Sequence, residues 1–194
     1  MAAYMSRLAH VSRRDFLLRA LRGAGATGLA ALTAGGVVLE TAKEANAAQA
    51  DWRWCLQCQG LWFNGHLDNG VCPRGGAHTS VGSGNYQIKF AADGGGDQDE
   101  WRWCYKCEGL WFSGSTHGPD GTCPADRGFH SLDGSGNYLL NFYPNGGGNQ
   151  DNWLWCLACY GLWFHGNGTP GYCPYFGSSG HSGHGSGDYY LTQI

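Results

Sequence analysis

Nine cysteines occur in three sets of three, and a histidine keeps step with each set. The sets are Cys55, Cys58, Cys72 and His78; Cys104, Cys107, Cys123 and His130; and Cys156, Cys159, Cys173 and His181. A C-x-x-C pair presents two thiolates from one tight turn, and a third cysteine with an imidazole completes a Cys3His set, an established tetrahedral zinc environment. The intervening gaps are 13, 15 and 13 residues from the pair to the third cysteine, then five, six and seven to the histidine. Loops between ligands absorb such variation, whereas the C-x-x-C spacing stays constant. Disulfides are the competing account, but three thiols per copy leave one unpaired after a C-x-x-C bridge, and nine leave one over in any pairing. Iron and Cu(I) also accept thiolate ligands. The reading is three zinc ions per chain. In the third copy two histidines compete. His181 stands four residues before Gly185, as His78 does before Gly82 and His130 before Gly134, while His184 takes the place of Val81 and Asp133. The repeat therefore selects His181.

These ligands need a frame, and the sequence repeats that too. Each set opens inside W-x-W-C-x-x-C-x-G-L-W-F, starting at Trp52, Trp101 and Trp153. Each continues through a glycine-rich loop and a Cys-Pro pair to a closing G-S-G-[ND]-Y. The two tryptophans of W-x-W share one face of a strand, and in L-W-F the Leu and Phe share a face opposite the Trp. "NYQIKF", "NYLLNF" and "DYYLTQI" read as a closing strand, and no stretch after residue 50 shows a capped 3.6-residue apolar period. The expectation is an all-β protein of three repeats, 51–96, 97–148 and 149–194, with three or four strands each and almost no helix. The knuckle resembles a zinc ribbon. The H-x-x-x-G-S-G-x-Y ending resembles the closing strand of β-trefoil repeats, which implies closure about a pseudo-threefold axis; the alternative is three zinc-ribbon beads in a row. A unit of about 50 residues buries little core by itself, so metal and tryptophan together would build each one.

The first 50 residues are of another kind, with neither Cys nor Trp. "SRRDFLLR" from Ser12 to Arg19 precedes an Ala/Gly/Leu/Val stretch and a small-residue end, "ANAAQA". That order is the order of a cleavable export signal. Arg13 and Arg14 followed by Phe16 and Leu17 resemble a twin-arginine signal. The resemblance implies passage through the twin-arginine export machinery in a folded state, cleavage after Ala47 or Ala50, and a periplasmic or extracellular destination. Arg22 and the glycines interrupt the apolar stretch, so no transmembrane span is expected after processing. Six of the twelve Lys/Arg and three of the fifteen Asp/Glu precede residue 51. The remainder is acidic, six basic residues against twelve acidic, which argues against a nucleic-acid partner.

Function is less legible. Nine tryptophans exceed what three knuckles need, so Trp62, Trp111 and Trp163, on the face opposing Leu and Phe, are candidate stacking platforms. The partner would be a cell-surface glycan or a protein. A zinc-dependent enzyme is a second reading, against which His66, His117 and His165 fall at unequal offsets from the shared Phe and form no repeated set. A metal-buffering or redox protein of the cell envelope is a third, weakened because the C-x-x-C cysteines are already committed to a Cys3His set.

Overall fold

The structure, a computed structural model, describes residues 48–66, 68–116, 120–145 and 148–194. The twin-arginine segment and His117 lie outside the described residues.

Each copy contributes three strands. Copy 1 has β1 (Gln49–Trp54), β2 (Leu61–Phe63) and β3 (Tyr86–Phe90); copy 2 has β4 (Gln98–Trp103), β5 (Leu110–Phe112) and β6 (Tyr138–Phe142); copy 3 has β7 (Gln150–Trp155), β8 (Leu162–Phe164) and β9 (Asp188–Gln193). One 3₁₀ turn, Ala91–Asp93, is the helical content of the described residues, and among them no helix is long and apolar enough to cross a membrane. W-x-W pairs antiparallel with L-W-F, Trp52 opposite Phe63 and Trp54 opposite Leu61, and the other copies repeat this register.

The first strand of each copy also pairs with the third, through a register shift between Gln49 and Trp52, Gln98 and Trp101, and Gln150 and Trp153. At that bulge Asp51, Glu100 and Asn152 adopt left-handed φ of 68°, 64° and 63°. A bulged residue has an N–H without a ladder partner. Here the side-chain oxygens of Asn85, Asn137 and Asp188 accept it at 2.9, 2.7 and 2.8 Å. The Ser83, Ser135 and Ser186 hydroxyls accept the N–H groups of Trp54, Trp103 and Trp155 at 2.8, 2.8 and 2.7 Å. G-S-G-[ND]-Y is thus a clamp on the bulge as well as the start of a strand.

The copies close on one another twice. The third strands join in a cycle, Phe90 opposite Tyr138, Phe142 opposite Tyr189, and Gln193 opposite Tyr86. At the knuckles a second cycle runs through Trp62–Gly109, Trp111–Gly161 and Trp163–Gly60 bridges. There the N–H groups of Phe63, Phe112 and Phe164 donate to the Glu108, Tyr160 and Gln59 carbonyls at 2.8, 3.0 and 2.9 Å. The sheet is closed and barrel-like, as the trefoil resemblance implied. The row of beads does not occur, because short strands would leave their edges unpaired unless neighbouring copies supplied partners.

Trp52, Trp101 and Trp153, all fully buried, form the centre. Each meets a tyrosine of another copy edge-on: Tyr138, Tyr189 and Tyr86, with ring centroids 5.2, 5.1 and 5.2 Å apart. Such pairs contribute about 0.5–1.5 kcal/mol beyond area burial. The Trp101 and Trp153 indoles donate to Gln98 and Gln150 at 3.2 Å, and Gln98 also accepts from the Tyr189 hydroxyl at 2.6 Å. Tyr138 donates likewise to Gln49. Burial holds both phenols well above their ordinary pKa.

Candidate metal centres

Each site assembles from two tight turns. In the first, the Cys55 N–H bonds the Gly60 carbonyl and the Gln59 N–H bonds the Cys55 carbonyl, at 3.0 and 2.8 Å. Cys104 with Gly109 and Glu108, and Cys156 with Gly161 and Tyr160, repeat it. The residue after the pair takes left-handed φ in every copy: 66° at Gln59, 63° at Glu108 and 61° at Tyr160. The second turn holds the Cys-Pro cysteine, whose N–H bonds the carbonyl of Gly76, Gly128 or Gly177. Copy 2 spends one extra residue inside this turn, and copy 3 spends two between Gly177 and His181. That is how the unequal gaps between the third cysteine and the histidine are absorbed.

The turns bring together the four residues of each set, with ligand atoms within 4.8 Å of one another: Cys55, Cys58, Cys72 and His78; Cys104, Cys107, Cys123 and His130; Cys156, Cys159, Cys173 and His181. All nine cysteines are buried with free thiols. The Cys104–Cys123 and Cys156–Cys173 sulfurs are 3.9 Å apart, far beyond a disulfide bond of about 2.05 Å. His78, His130 and His181 place Nδ1 at 3.6, 3.6 and 3.4 Å from the Sγ of Cys58, Cys107 and Cys159. A tetrahedron with Zn–S near 2.3 Å and Zn–N near 2.0–2.1 Å has S–S edges of about 3.8 Å and S–N edges of about 3.6 Å. The donor atoms fit that figure.

The electrostatics also call for a cation. Hydrogen bonds from Cys58 and Cys72 hold the Cys55 thiol far below its ordinary range, and Cys107 with Cys123 and Cys159 with Cys173 do the same to Cys104 and Cys156. The partners move the other way. Cys72 and Cys123 are pushed up to about 11, first by the hydrogen bond to the ionised neighbour. Cys58 and Cys107 rise for the same reason, and Cys159 rises mainly through burial. His181 rises to about 9: burial opposes its charge, but hydrogen bonds to Cys156 and Cys173 outweigh it. In each set one thiol is held down while a neighbour is pushed up, so the set does not stabilise its thiolates together. A bound dication would stabilise all three with a neutral imidazole.

Two of the histidines are held by neighbouring copies. With Nδ1 facing sulfur, Nε2–H of His130 donates to the Cys159 carbonyl and that of His181 to the Cys58 carbonyl, both at 3.1 Å. This fixes the tautomer that leaves Nδ1 free to ligate. The same carbonyls explain a glycine that the ligand pattern did not single out. Gly70, Gly121 and Gly171, the first residue of G-x-C-P in each copy, have φ of 60°, 64° and 67°. A Cβ there would lie 2.3, 2.3 and 2.2 Å from the carbonyl oxygen of Cys107, Cys159 and Cys58 in the next copy. The signal was present in sequence: glycine stands two residues before every Cys-Pro.

Trp62, Trp111 and Trp163 correct the exposure expected of them. They are 0, 0 and 2 % exposed, and each stacks on the ligand histidine of its own copy, with centroids 5.4, 5.3 and 5.4 Å apart and planes within 14–19°. Strand alternation told which side chains oppose one another. It could not tell that both faces of a three-residue strand are covered, one by the core and one by the metal site. His184 is exposed and outside the ligand set. His66 is also no ligand; it bonds the Glu108 carboxylate of copy 2 at 2.8 Å. His165 lies edge-on to Trp163.

Fold and site together define a closed, three-copy all-β domain with three Cys3His metal-binding centres. No protein-family model matches the chain, no curated protein matches it, and no solved structure matches it.

Proposed function

We propose that the chain is an exported, non-catalytic binding protein whose three Cys3His sites hold zinc as structural staples. The observation that carries this reading is the closed ligand set: four protein donors per site fill a tetrahedron, whereas a catalytic zinc keeps a position open for water or substrate. Structural zinc contributes about 10–16 kcal/mol of apparent folding free energy in small peptides. Buried aromatics and metal together suit a domain that must persist outside the cell. The surface then serves as the recognition element, toward a wall or surface glycan or a protein. "SRRDFL" supports twin-arginine export, which would carry the domain already folded and metal-loaded. Of the two cleavage positions, the one after Ala47 retains Gln49, which accepts from Tyr138 and opens β1.

Native mass spectrometry of the processed chain tests the metal reading: three zinc ions and no disulfides are expected. Cobalt substitution should give the absorption of four-coordinate sites with three sulfur donors and one nitrogen, unchanged by added anions. Zero or one metal, or an anion-sensitive spectrum, would overturn it. Replacing Arg13 and Arg14 by Lys should leave unprocessed precursor inside the cell.

A further inference from the structure

The three copies are alike at the metal sites and unlike at the seams between them. The second tryptophan of each W-x-W sits at such a seam. Trp103 is covered by His66 from copy 1, with centroids 4.8 Å apart, and its indole N–H bonds Glu108 at 2.7 Å. Trp155 packs on Tyr160 at 5.4 Å and is 8 % exposed. Trp54, the third equivalent, is partly buried, as Trp103 is. Its indole N–H bonds Gln59 at 3.1 Å, and Asn167 of copy 3 donates to the same oxygen at 2.9 Å. Among the described residues no ring lies against the Trp54 face.

In place of such a ring a groove of about 560 Å³ opens between copies 3 and 1. That lies within the roughly 300–1,000 Å³ of small-ligand sites. Trp54 and Tyr172 give it aromatic surface, and Gln57, Asn167 and Arg74 give it flat hydrogen-bonding groups. Arg74 is exposed and is the single charged group of this lining. Aromatic faces accept the C–H face of a sugar ring. Carboxamides accept and donate to neighbouring hydroxyls, and a guanidinium binds a carboxylate through two parallel hydrogen bonds. One arginine in the groove of a net-acidic domain suits one carboxylate per ring better than a polyphosphate.

We propose that this groove binds an acidic saccharide, a pyranose carrying a carboxylate, stacked on Trp54 with its carboxylate on Arg74. The proposal rests on the binding-module reading and names its site. Buried Trp62, Trp111 and Trp163 cannot serve as its stacking platforms.

The test titrates the zinc-loaded processed chain with tri- and tetra-galacturonate and with neutral cello-oligosaccharides of equal length. It reads calorimetry together with the indole N–H signals in 15N NMR. Oligouronates should bind and move the Trp54 signal, and neutral chains should bind at least tenfold more weakly. Arg74→Ala should abolish that preference, and Gln57→Ala should weaken both ligands. Both residues are exposed, so metal content should stay at three. Tyr105→Ala, on the corresponding knuckle of copy 2, should change nothing. Wild-type affinity in Arg74→Ala and Gln57→Ala, or an unmoved Trp54 signal, would overturn the groove. If a glycan binds but maps elsewhere, the groove falls and the binding-module reading stands. If a screen of glycans, wall polymers and proteins finds no partner, that reading itself falls.

Discussion

The knuckle ring and the seam residues just outside it obey the threefold repeat to different degrees. Within the ring, the sulfur–imidazole separations are 3.6, 3.6 and 3.4 Å, and the same tryptophan stacks on each histidine. One residue beyond each C-x-x-C pair, the chain has Gln59, Glu108 and Tyr160, all in one backbone conformation and each with a different partner. Coordination tolerates a few tenths of an ångström, so the ligands cannot diverge. A seam must only be filled, and an amide, a carboxylate or a phenol can fill it. Divergence there left a groove of about 560 Å³ at Trp54 and a smaller one, about 170 Å³, at Trp155.

The largest effect should come from breaking the ring. Because His130 and His181 bond knuckle carbonyls of other copies, and Phe63, Phe112 and Phe164 tie every knuckle to the next, the three sites are expected to load and empty together. Chelator titration followed by native mass spectrometry should show mainly three-metal and metal-free chains, with one- and two-metal species scarce. Dominant intermediates would mean independent sites. The ligands must be deprotonated, so affinity falls as pH falls, and the domain should unfold in acid together with metal release.

Removing one ligand is the next step down. His181→Ala should lose metal and several kcal/mol of stability in urea unfolding, since the site is folding energy. His184→Ala, exposed and outside the set, should keep three metals and stay within about 0.5 kcal/mol. The opposite pattern would overturn the assignment of His181.

Gly121→Ala probes the contact between copies without replacing a ligand. Left-handed strain of about 1–2 kcal/mol adds to the displacement of the Cys159 carbonyl. We expect about 2–4 kcal/mol in total, and weaker metal retention in copy 3 than in copy 2 by site-resolved NMR. A neutral Gly121→Ala would mean that the carbonyl contact is slack.

The smallest effect should come from the seam. Glu108→Gln keeps an acceptor for Trp103 and should shift stability by about 1 kcal/mol or less. Burial raises the Glu108 pKa above its ordinary value, so the ionised form is the one disfavoured on folding. The carboxyl's contribution is therefore present at low pH and lost as pH rises through its folded value. The wild type should lose stability relative to Glu108→Gln as pH rises above the ordinary carboxylate range. A difference that grows in the other direction would show that the His66 ion pair dominates instead.

Sequence alone determined the ligands, because C-x-x-C spacing and the fixed offset of His78, His130 and His181 from a repeated glycine are local constraints that coordination chemistry imposes. It determined the strands for a similar reason: W-x-W and L-W-F alternate with period two, and glycine turns separate them. The bulge clamp of Ser83 and Asn85, and the glycine of G-x-C-P, were visible as repeated letters whose purpose was not. Their partners sit in another strand or another copy, at a separation that no local pattern encodes. Closure was decided only in three dimensions. Edge strands three residues long gain their missing hydrogen bonds from the next copy, and that pairing buries Trp62, Trp111 and Trp163 on both sides. Exposure is a property of what covers a side chain, so the tertiary structure alone could move the open tryptophan face from those three residues to Trp54.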